Sequence, residues 1–406
     1  MGARLHVRPD AGSRGNGASR FYDNAMSLEL IYLLLIFVLL VVPRALQRWK
    51  IPAPLTCLAL GVSAMLGLGD ALHDQLLTML ATLGIASLFL FAGLEVDLGA
   101  LKRGLWPLTA QLAVRAVMLA AVGGLAWGYA DLPWQAAGLL ALALLTPSTG
   151  FIIETLGRLG LDDAERFWVT SKAIAGELLA LALLFVLVKA DDPVDMALSA
   201  AALVAMTVAL PFFFIAVSRW IAPHAPGSEF SLLVMAGVIA AYTSYKLGVY
   251  YLVGAFIVGL VARLLQKRMP HLASRDNLHA LRLFASFFVP FYFFSAGLKV
   301  HSEALSLTAL GIGLGLTAVA LPLRIVLGWA ERRLFGESAV ASLRISVALA
   351  PTLIFTLVLA GILRERFGIA NALFGGLLLY AVLTTVLPSL IFKAPFDVDP
   401  AEEAQP

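Results

Sequence analysis

The stretch WVTSKAIAGELLALALLFVLVK, Trp168 to Lys189, reads as a membrane span with one acid, Glu177, near its middle. If Trp168 marks the cytoplasmic boundary, a rise of ~1.5 Å per residue puts Glu177 ~14 Å deep, close to the centre of a ~30 Å hydrocarbon core. An ionised carboxylate at that depth costs at least ~2.5 kcal/mol, so it must face a cavity or a partner, or carry a proton. Thr170, Ala173, Ala180 and Leu184 share its helical face, with Gly176 beside it. That face is small and partly polar, which suits a narrow aqueous approach. The structural alternative is a protonated Glu hydrogen-bonded between helices, but ionisable groups inside spans are functional by default.

The rest of the chain provides the setting for such a span. Of its 406 residues 60% are hydrophobic and 14% charged, and the mean hydropathy is +0.90. A soluble domain would be about a quarter charged and would not string together apolar runs of spanning length. The fold class is therefore an all-α polytopic membrane protein. A lone cysteine, Cys57, excludes an intrachain disulfide and a thiolate metal centre. The six histidines fall in loops and tails without metal-ligand spacing, so no metal and no cofactor is expected. A net charge of +3 with a pI near 9.0 does not point to nucleic acid, because the basic residues sit between spans.

Residues 1–25 are polar, Gly- and Arg-rich and lack an apolar core, which predicts a disordered tail that is neither signal peptide nor span. Met26 begins the apolar sequence at once and is the expected natural start. Hydropathy then gives about thirteen spans: 27–46, 52–69, 76–95, 105–128, 134–156, 168–189, 196–218, 230–245, 249–265, 283–299, 304–328, 341–363 and 370–392. Alternate loops carry the basic clusters, such as Arg44, Arg48 and Lys50, Lys102 and Arg103, and Arg263, Lys267, Arg268, Arg275 and Arg282. The opposite loops carry Asp70, Asp74, Asp131, Asp191 and Asp192. The positive-inside rule thus sets the N-terminus outside and the C-terminus in the cytoplasm, with a membrane domain over 26–393 and a short cytoplasmic tail at 394–406.

An internal repeat is legible. Ala92-Gly93-Leu94-Glu95-Val96 recurs as Ala296-Gly297-Leu298-Lys299-Val300, and the same shift of 204 carries Pro147 onto Pro351. The first copy ends span three on the inside and the second ends span ten on the outside, so the repeats are inverted. Proline removes an intrahelical hydrogen bond and clashes with the preceding turn, which predicts breaks at Thr146-Pro147-Ser148-Thr149-Gly150 and at Ala350-Pro351-Thr352. Freed carbonyls there, Pro351's included, and the hydroxyls of Thr146, Ser148, Thr149 and Thr352 are hard oxygen donors suited to Na⁺ or K⁺. A packing kink is the alternative for either proline alone.

These residues resemble the second family of monovalent cation:proton antiporters, with KefB-like and NapA-like membrane domains. Leu88-Phe89-Leu90-Phe91-Ala92-Gly93-Leu94-Glu95-Val96-Asp97 is similar to that family's third-span signature, and 146–150 and Gly254-Ala255-Phe256-Ile257-Val258-Gly259 to other landmarks. The resemblance runs from Met26 to about Phe392. It implies an NhaA-like fold, with a homodimer-forming panel and a six-helix core in which two broken helices cross. It also implies a transporter, not an enzyme, in a bacterial-type inner membrane. Family members carry Asp, often after Asp, Asn or Gln, where this chain has Gly176-Glu177. Many continue into a soluble nucleotide-binding domain, whereas only a dozen polar residues follow Lys393 here, and regulation of that kind is not expected.

Antiport of Na⁺ or K⁺ against H⁺ is the leading expectation, with Glu177 binding either the proton or the cation. A gated cation channel and a non-transporting sensor on the same fold are the alternatives. Four further charges are candidates for support. Arg324 and Glu95 lie near the same membrane face, where they would pair or snorkel. Lys299 is the repeat counterpart of Glu95, while Lys172, about 140° around the helix from Glu177, suits a mouth-lining charge. Arg115, mid-span without a sequence partner, reads as structural. With Gly at 176, one carboxylate titrates at the crossing, and the expected exchange is 1:1 and electroneutral.

Overall fold

The computed structural model describes residues 16–49, 51–68, 75–96, 99, 105–221, 224–225, 228–269 and 274–392. Among them every regular element is helical: α1 (Asn16–Gln47), α2 (Ala53–Leu68), α3 (Gln75–Leu94), α4 (Leu105–Tyr129), α5 (Trp134–Leu145), α6 (Thr149–Leu156), α7 (Asp163–Lys189), α8 (Pro193–Trp220), α9 (Glu229–Lys246), α10 (Tyr251–Leu265), α11 (Arg275–Leu298), α12 (Leu307–Leu334), α13 (Ala339–Ala348), α14 (Leu353–Phe367) and α15 (Asn371–Ile391), with short 3₁₀ turns at Gly157–Leu159 and Ser302–Leu305. Nine spans among the described residues are long and apolar enough to cross a membrane, and the bent pair α13 and α14, at 45°, makes a tenth. Two shorter apolar stretches, Ala53–Gly67 and Tyr251–Leu265, lie in α2 and α10.

Polar residues at the segment ends fix where the helices start. Asp162 and Glu165 close a capping box on α7, with Asp162 Oδ1 accepting from the Glu165 N–H at 2.8 Å and the Asp162 N–H donating to Glu165 Oε2 at 3.0 Å. Ser274, Ser306 and Ser338 accept from the third backbone N–H of α11, α12 and α13. Asp192 precedes Pro193 at the head of α8, where proline's fixed φ is already helical. At the chain's start the structure departs from the expected tail: α1 begins at Asn16, so 16–25 are helical. Propagating an existing helix adds one bond per residue fixed, and no proline stands between Asn16 and the apolar run to stop it. Residues 1–15 and 394–406 lie outside the described residues, as do Lys50, Asp70, Asp74, Lys102 and Arg103.

The helices pack in two groups. In one, α3 lies against α10 and α11, α2 against α11, α9 against α10, and α1 against α2. In the other, α12 packs on α13 and α15, α14 on α5 and α15, α4 on α5, and α7 on α4, α5, α6 and α13. Helix α8 reaches both, touching α10 and α7, and α3 meets the second group at α6. Phe89 of α3 and Phe355 of α14 meet across this seam with ring centroids 6.2 Å apart and planes tilted by 59°.

The first group is held by backbone-to-backbone approach at the repeated motif. A Cβ added at Gly93 would lie 3.0 Å from Gly259 Cα and 2.8 Å from Leu260 N. One added at Gly297 would lie 2.9 Å from Gly61 Cα and 2.8 Å from Val62 N. The α3–α10 and α11–α2 crossings are thus built the same way, glycine on glycine, at the two copies of Ala-Gly-Leu. Gly93→Ala and Gly297→Ala should each force the helices apart and destabilise the fold by about 1–3 kcal/mol. Gly67→Ala, with nothing within 4 Å of the new methyl, should not. Thermal unfolding of the three variants in detergent checks this ordering.

Candidate functional site

The two sequence breaks meet. Helix α5 stops at Leu145, Thr146 turns to extended geometry at φ −85° and ψ 123°, and α6 restarts after Ser148 at φ −86° and ψ 92°. Helix α13 stops at Ala348, and α14 restarts after Thr352 at φ −125° and ψ 2°. Both breaks contain a proline, which has no N–H to continue a helix. The Ser148 N–H donates to the Pro351 carbonyl at 2.8 Å, and the Ile354 N–H donates to Ser148 Oγ at 2.8 Å. The Thr356 hydroxyl donates to the Ala143 carbonyl at 2.7 Å. Ser148 and Pro351, expected as cation ligands, therefore first tie one broken helix to the other. Each accepting oxygen has a second lone pair, so this does not remove them as ligands.

The carbonyl ends are satisfied by α12 and α15. Arg324 donates from Nη1 to the Ala350 carbonyl at 3.0 Å and from Nη2 to the Leu349 carbonyl at 2.9 Å. Its Nη1 also reaches the Tyr380 hydroxyl at 3.1 Å, and that hydroxyl donates to the Leu144 carbonyl at 2.5 Å. One guanidinium and one phenol thus serve the C-terminal ends of both α13 and α5, where helix dipoles leave partial negative charge. Thr352 and Thr384 share a hydrogen bond at 3.0 Å. Sequence reasoning passed over Tyr380, Thr384 and Thr356. Tyr380 and Thr384, one turn apart in a largely apolar span, were the available signal.

Glu177 is buried, 3% exposed, and Oε2 has no hydrogen-bond partner among the described residues. Its crevice is lined by Phe89 and Ala92 of α3, by Ser148 and Thr149 at the head of α6, and by Ile354 and Phe355 at the head of α14. The crevice holds no space for a water molecule. Thr149 Oγ1, in the same crevice, is likewise buried without a hydrogen-bond partner among the described residues. The carboxyl shares this crevice with two helix N-termini, whose dipoles favour negative charge; at α14 the Ile354 and Phe355 N–H groups are already taken by Ser148 Oγ, while α6 has no side-chain cap. The carboxyl also lies on the seam between the two helix groups, since α3 belongs to one and α6, α7 and α14 to the other. Thr146 is buried at the end of α5, close in sequence to this crevice but not among its lining residues.

The supporting charges divide. Lys172 forms a buried ion pair with Glu331 at 2.7 Å and lines a separate cavity of about 60 Å³ together with Arg115 and Arg324. Arg324 does not pair with Glu95. Glu95 instead has Arg282 of α11 at 3.6 Å, because α3 and α11 pack together while α12 lies in the other group. Lys299 is half-exposed and paired with Glu365 at 2.8 Å, outside the crossing. Its place one residue past the end of α11 carries it beyond the buried part of the motif.

The candidate site is thus a buried carboxyl without an ion-pair partner among the described residues, beside two broken membrane helices that meet, on a seam between two helical groups. The sodium/hydrogen exchanger transmembrane family model matches residues 33–397, and the chain belongs to that family, one of transporters and not enzymes. It is 25% identical over 380 residues to the probable Na⁺/H⁺ antiporter 3 of Methanocaldococcus jannaschii, covering 90% of this chain and 96% of the relative. It is 24% identical to the Na⁺/H⁺ antiporter of Enterococcus hirae, over 86% of this chain and 92% of that one. It is also 24% identical to the Na⁺/H⁺-K⁺ antiporter GerN of Bacillus cereus, over 81% and 86%. The solved sodium proton antiporter MjNhaP1 of Methanocaldococcus jannaschii has the same fold, with a TM-score of 0.63 at 16% identity over 90% of this chain and 96% of that one.

The geometry separates structural from chemical roles. Tyr380→Phe should destabilise the protein by about 1–2 kcal/mol, because it leaves the Leu144 carbonyl and one Arg324 donor without a partner. Glu177→Gln should be neutral or stabilising, since it removes a buried ionisable group from a site that does not satisfy it. Thermal unfolding of both variants in one detergent reads the contrast.

Proposed function

We propose that this chain exchanges a monovalent cation, Na⁺ or K⁺, for H⁺ by alternating access, with Glu177 as the shared binding group. The observation that carries the reading is the lone buried carboxylate on the seam, facing the N-termini of α6 and α14. The names of the relatives, all Na⁺/H⁺ antiporters and one a Na⁺/H⁺-K⁺ antiporter, agree with it. The α6 and α14 ends, with Glu177 on α7, move as one body against α3. When the carboxyl holds a proton or a cation it is neutral and slides past Phe89 and Ala92. When it is empty and charged, the dry seam costs at least ~2.5 kcal/mol, which suppresses crossing roughly 70-fold. Obligate exchange follows from that difference. Thr149, Ser148, Thr146 and Thr352 supply hydroxyls, and Pro351 a carbonyl, near the path, hard donors appropriate to an alkali cation.

The same reading includes thirteen spans, N-terminus outside and C-terminus in the cytoplasm of a bacterial-type inner membrane, and two inverted repeats. It also has the α1, α2, α3, α9, α10 and α11 group serving as the homodimer panel. The twice-built glycine crossing supports the repeat, and the basic loops support the orientation. The closed crevice favours a carrier over an open channel, which would need a continuous wet path.

In everted vesicles with a preformed pH gradient, addition of Na⁺ or K⁺ should collapse the gradient for the wild type. Glu177→Gln should abolish that response and Glu177→Asp should keep part of it. Exchange at wild-type rate in the Gln variant would place the carrier elsewhere.

One carboxylate at the seam trades one H⁺ for one cation and moves no net charge. In proteoliposomes free of leak, a membrane potential imposed without a pH gradient should drive no cation uptake. Uptake that follows the potential rejects 1:1 exchange.

A further inference from the structure

On the far side of α7 from Glu177 the protein holds a second polar chamber, of about 60 Å³, that the exchange cycle does not use. Arg115 of α4, Lys172 of α7, and Arg324 and Glu331 of α12 line it. Three cations thus face one carboxylate. Glu331 is committed to Lys172 at 2.7 Å, and Arg324 to the carbonyls that end α13. The neighbouring Arg332 has Glu337 and lies 4.0 Å over the Trp168 ring. Arg115 is left over. It has no hydrogen bond or ion pair among the described residues, and its Nη1 is buried and unpartnered. Its place is fixed by packing: the guanidinium rests on the backbone of Gly176, where an added Cβ would lie 2.8 Å from Arg115 Cζ and closer still to Nη1.

A guanidinium held in the membrane interior without a counter-charge is costly, and an anion in the chamber would neutralise it. Its fork of donors matches the oxygens of a phosphate, and Lys172 on the opposite wall adds a point charge of the same sign. The chamber lies between α4 and α12, two of the least buried helices among the described spans. Its wall residue Val114 is 37% exposed, and Leu323 and Val326 on α12 are also exposed. This apolar rim suits acyl chains. Lys172 stands four residues past Trp168, only ~6 Å in from the cytoplasmic boundary, where the leaflet carries anionic lipid.

We propose that the chamber between α4, α7 and α12 binds a phosphate-class oxyanion, the headgroup of an anionic phospholipid from the cytoplasmic leaflet, with Arg115 as its principal ligand. The proposal depends on the membrane setting and not on the exchange mechanism, and its test reads binding, not transport. The full chain in neutral detergent is titrated with phosphatidylglycerol, with phosphatidylcholine, or with inorganic phosphate at constant ionic strength, and the unfolding midpoint is followed.

Phosphatidylglycerol should raise the midpoint saturably and phosphatidylcholine should not. Arg115→Gln should shift the half-saturating lipid concentration at least tenfold, whereas Arg333→Gln, at an exposed arginine of α12, should leave it unchanged. Gly176→Ala, which displaces the guanidinium without removing it, should reproduce the loss and serves if Arg115→Gln is not recovered folded. A saturable rise with millimolar phosphate that equals the lipid effect assigns the same chamber to a free oxyanion. Equal responses to the two lipids with no phosphate effect, or unchanged binding in both variants, overturns the proposal.

Discussion

Breaking a helix inside a membrane exposes backbone groups that water cannot reach, and the broken helices together with α12 and α15 are arranged to satisfy them. Two breaks leave two sets of carbonyls and two sets of N–H groups near one point. Part of the solution is mutual: Ser148 serves α14 through its hydroxyl and takes the Pro351 carbonyl through its N–H. The remainder is supplied by α12 and α15, through Arg324 and Tyr380. Because these two side chains serve the carbonyl ends and Ser148 caps the N–H end of α14, the N-terminus of α6 is the helix end left without a side-chain cap in the crevice of Glu177.

This division gives α7 two unlike faces. Toward α3 it presents a carboxyl in a dry crevice next to helix N-termini. Away from it, toward α4 and α12, it presents Lys172 and the bare backbone of Gly176, against a chamber lined mainly by cations. Gly176 matters here for space and not for backbone freedom, since any side chain would collide with Arg115. The absence of a second acid beside Glu177 is therefore coupled to the guanidinium of Arg115 resting against position 176.

The seam is dry and apolar, with Phe89 against Phe355, while the glycine crossings at Gly93 and Gly297 hold the first helical group close-packed. In the proposed exchange, this close-packed panel with its largely apolar face is the surface along which the other group moves. On that proposal the charge state of Glu177 governs the motion, because its carboxyl lies on the seam without an ion-pair partner among the described residues.

By itself the sequence determined the helices and where two of them break. Apolar runs of spanning length, the prolines at 147 and 351, and the acid at 177 are all local signals, and the duplicated Ala-Gly-Leu was legible as a repeat, though not as the place where α3 meets α10 and α11 meets α2. Partner choice among charges was different. Glu95 and Arg324 lie near one membrane face in sequence, yet they belong to different helical groups, and Arg282 and the α13 carbonyls take their places. Lys299 matches Glu95 in the repeat but stands outside the crossing. Tyr380 and Thr384 carried only a faint pattern. Such pairings join residues far apart in the chain, among them Tyr380 with Leu144 and Lys172 with Glu331, and only helix packing, which periodicity does not encode, brings them within hydrogen-bond reach.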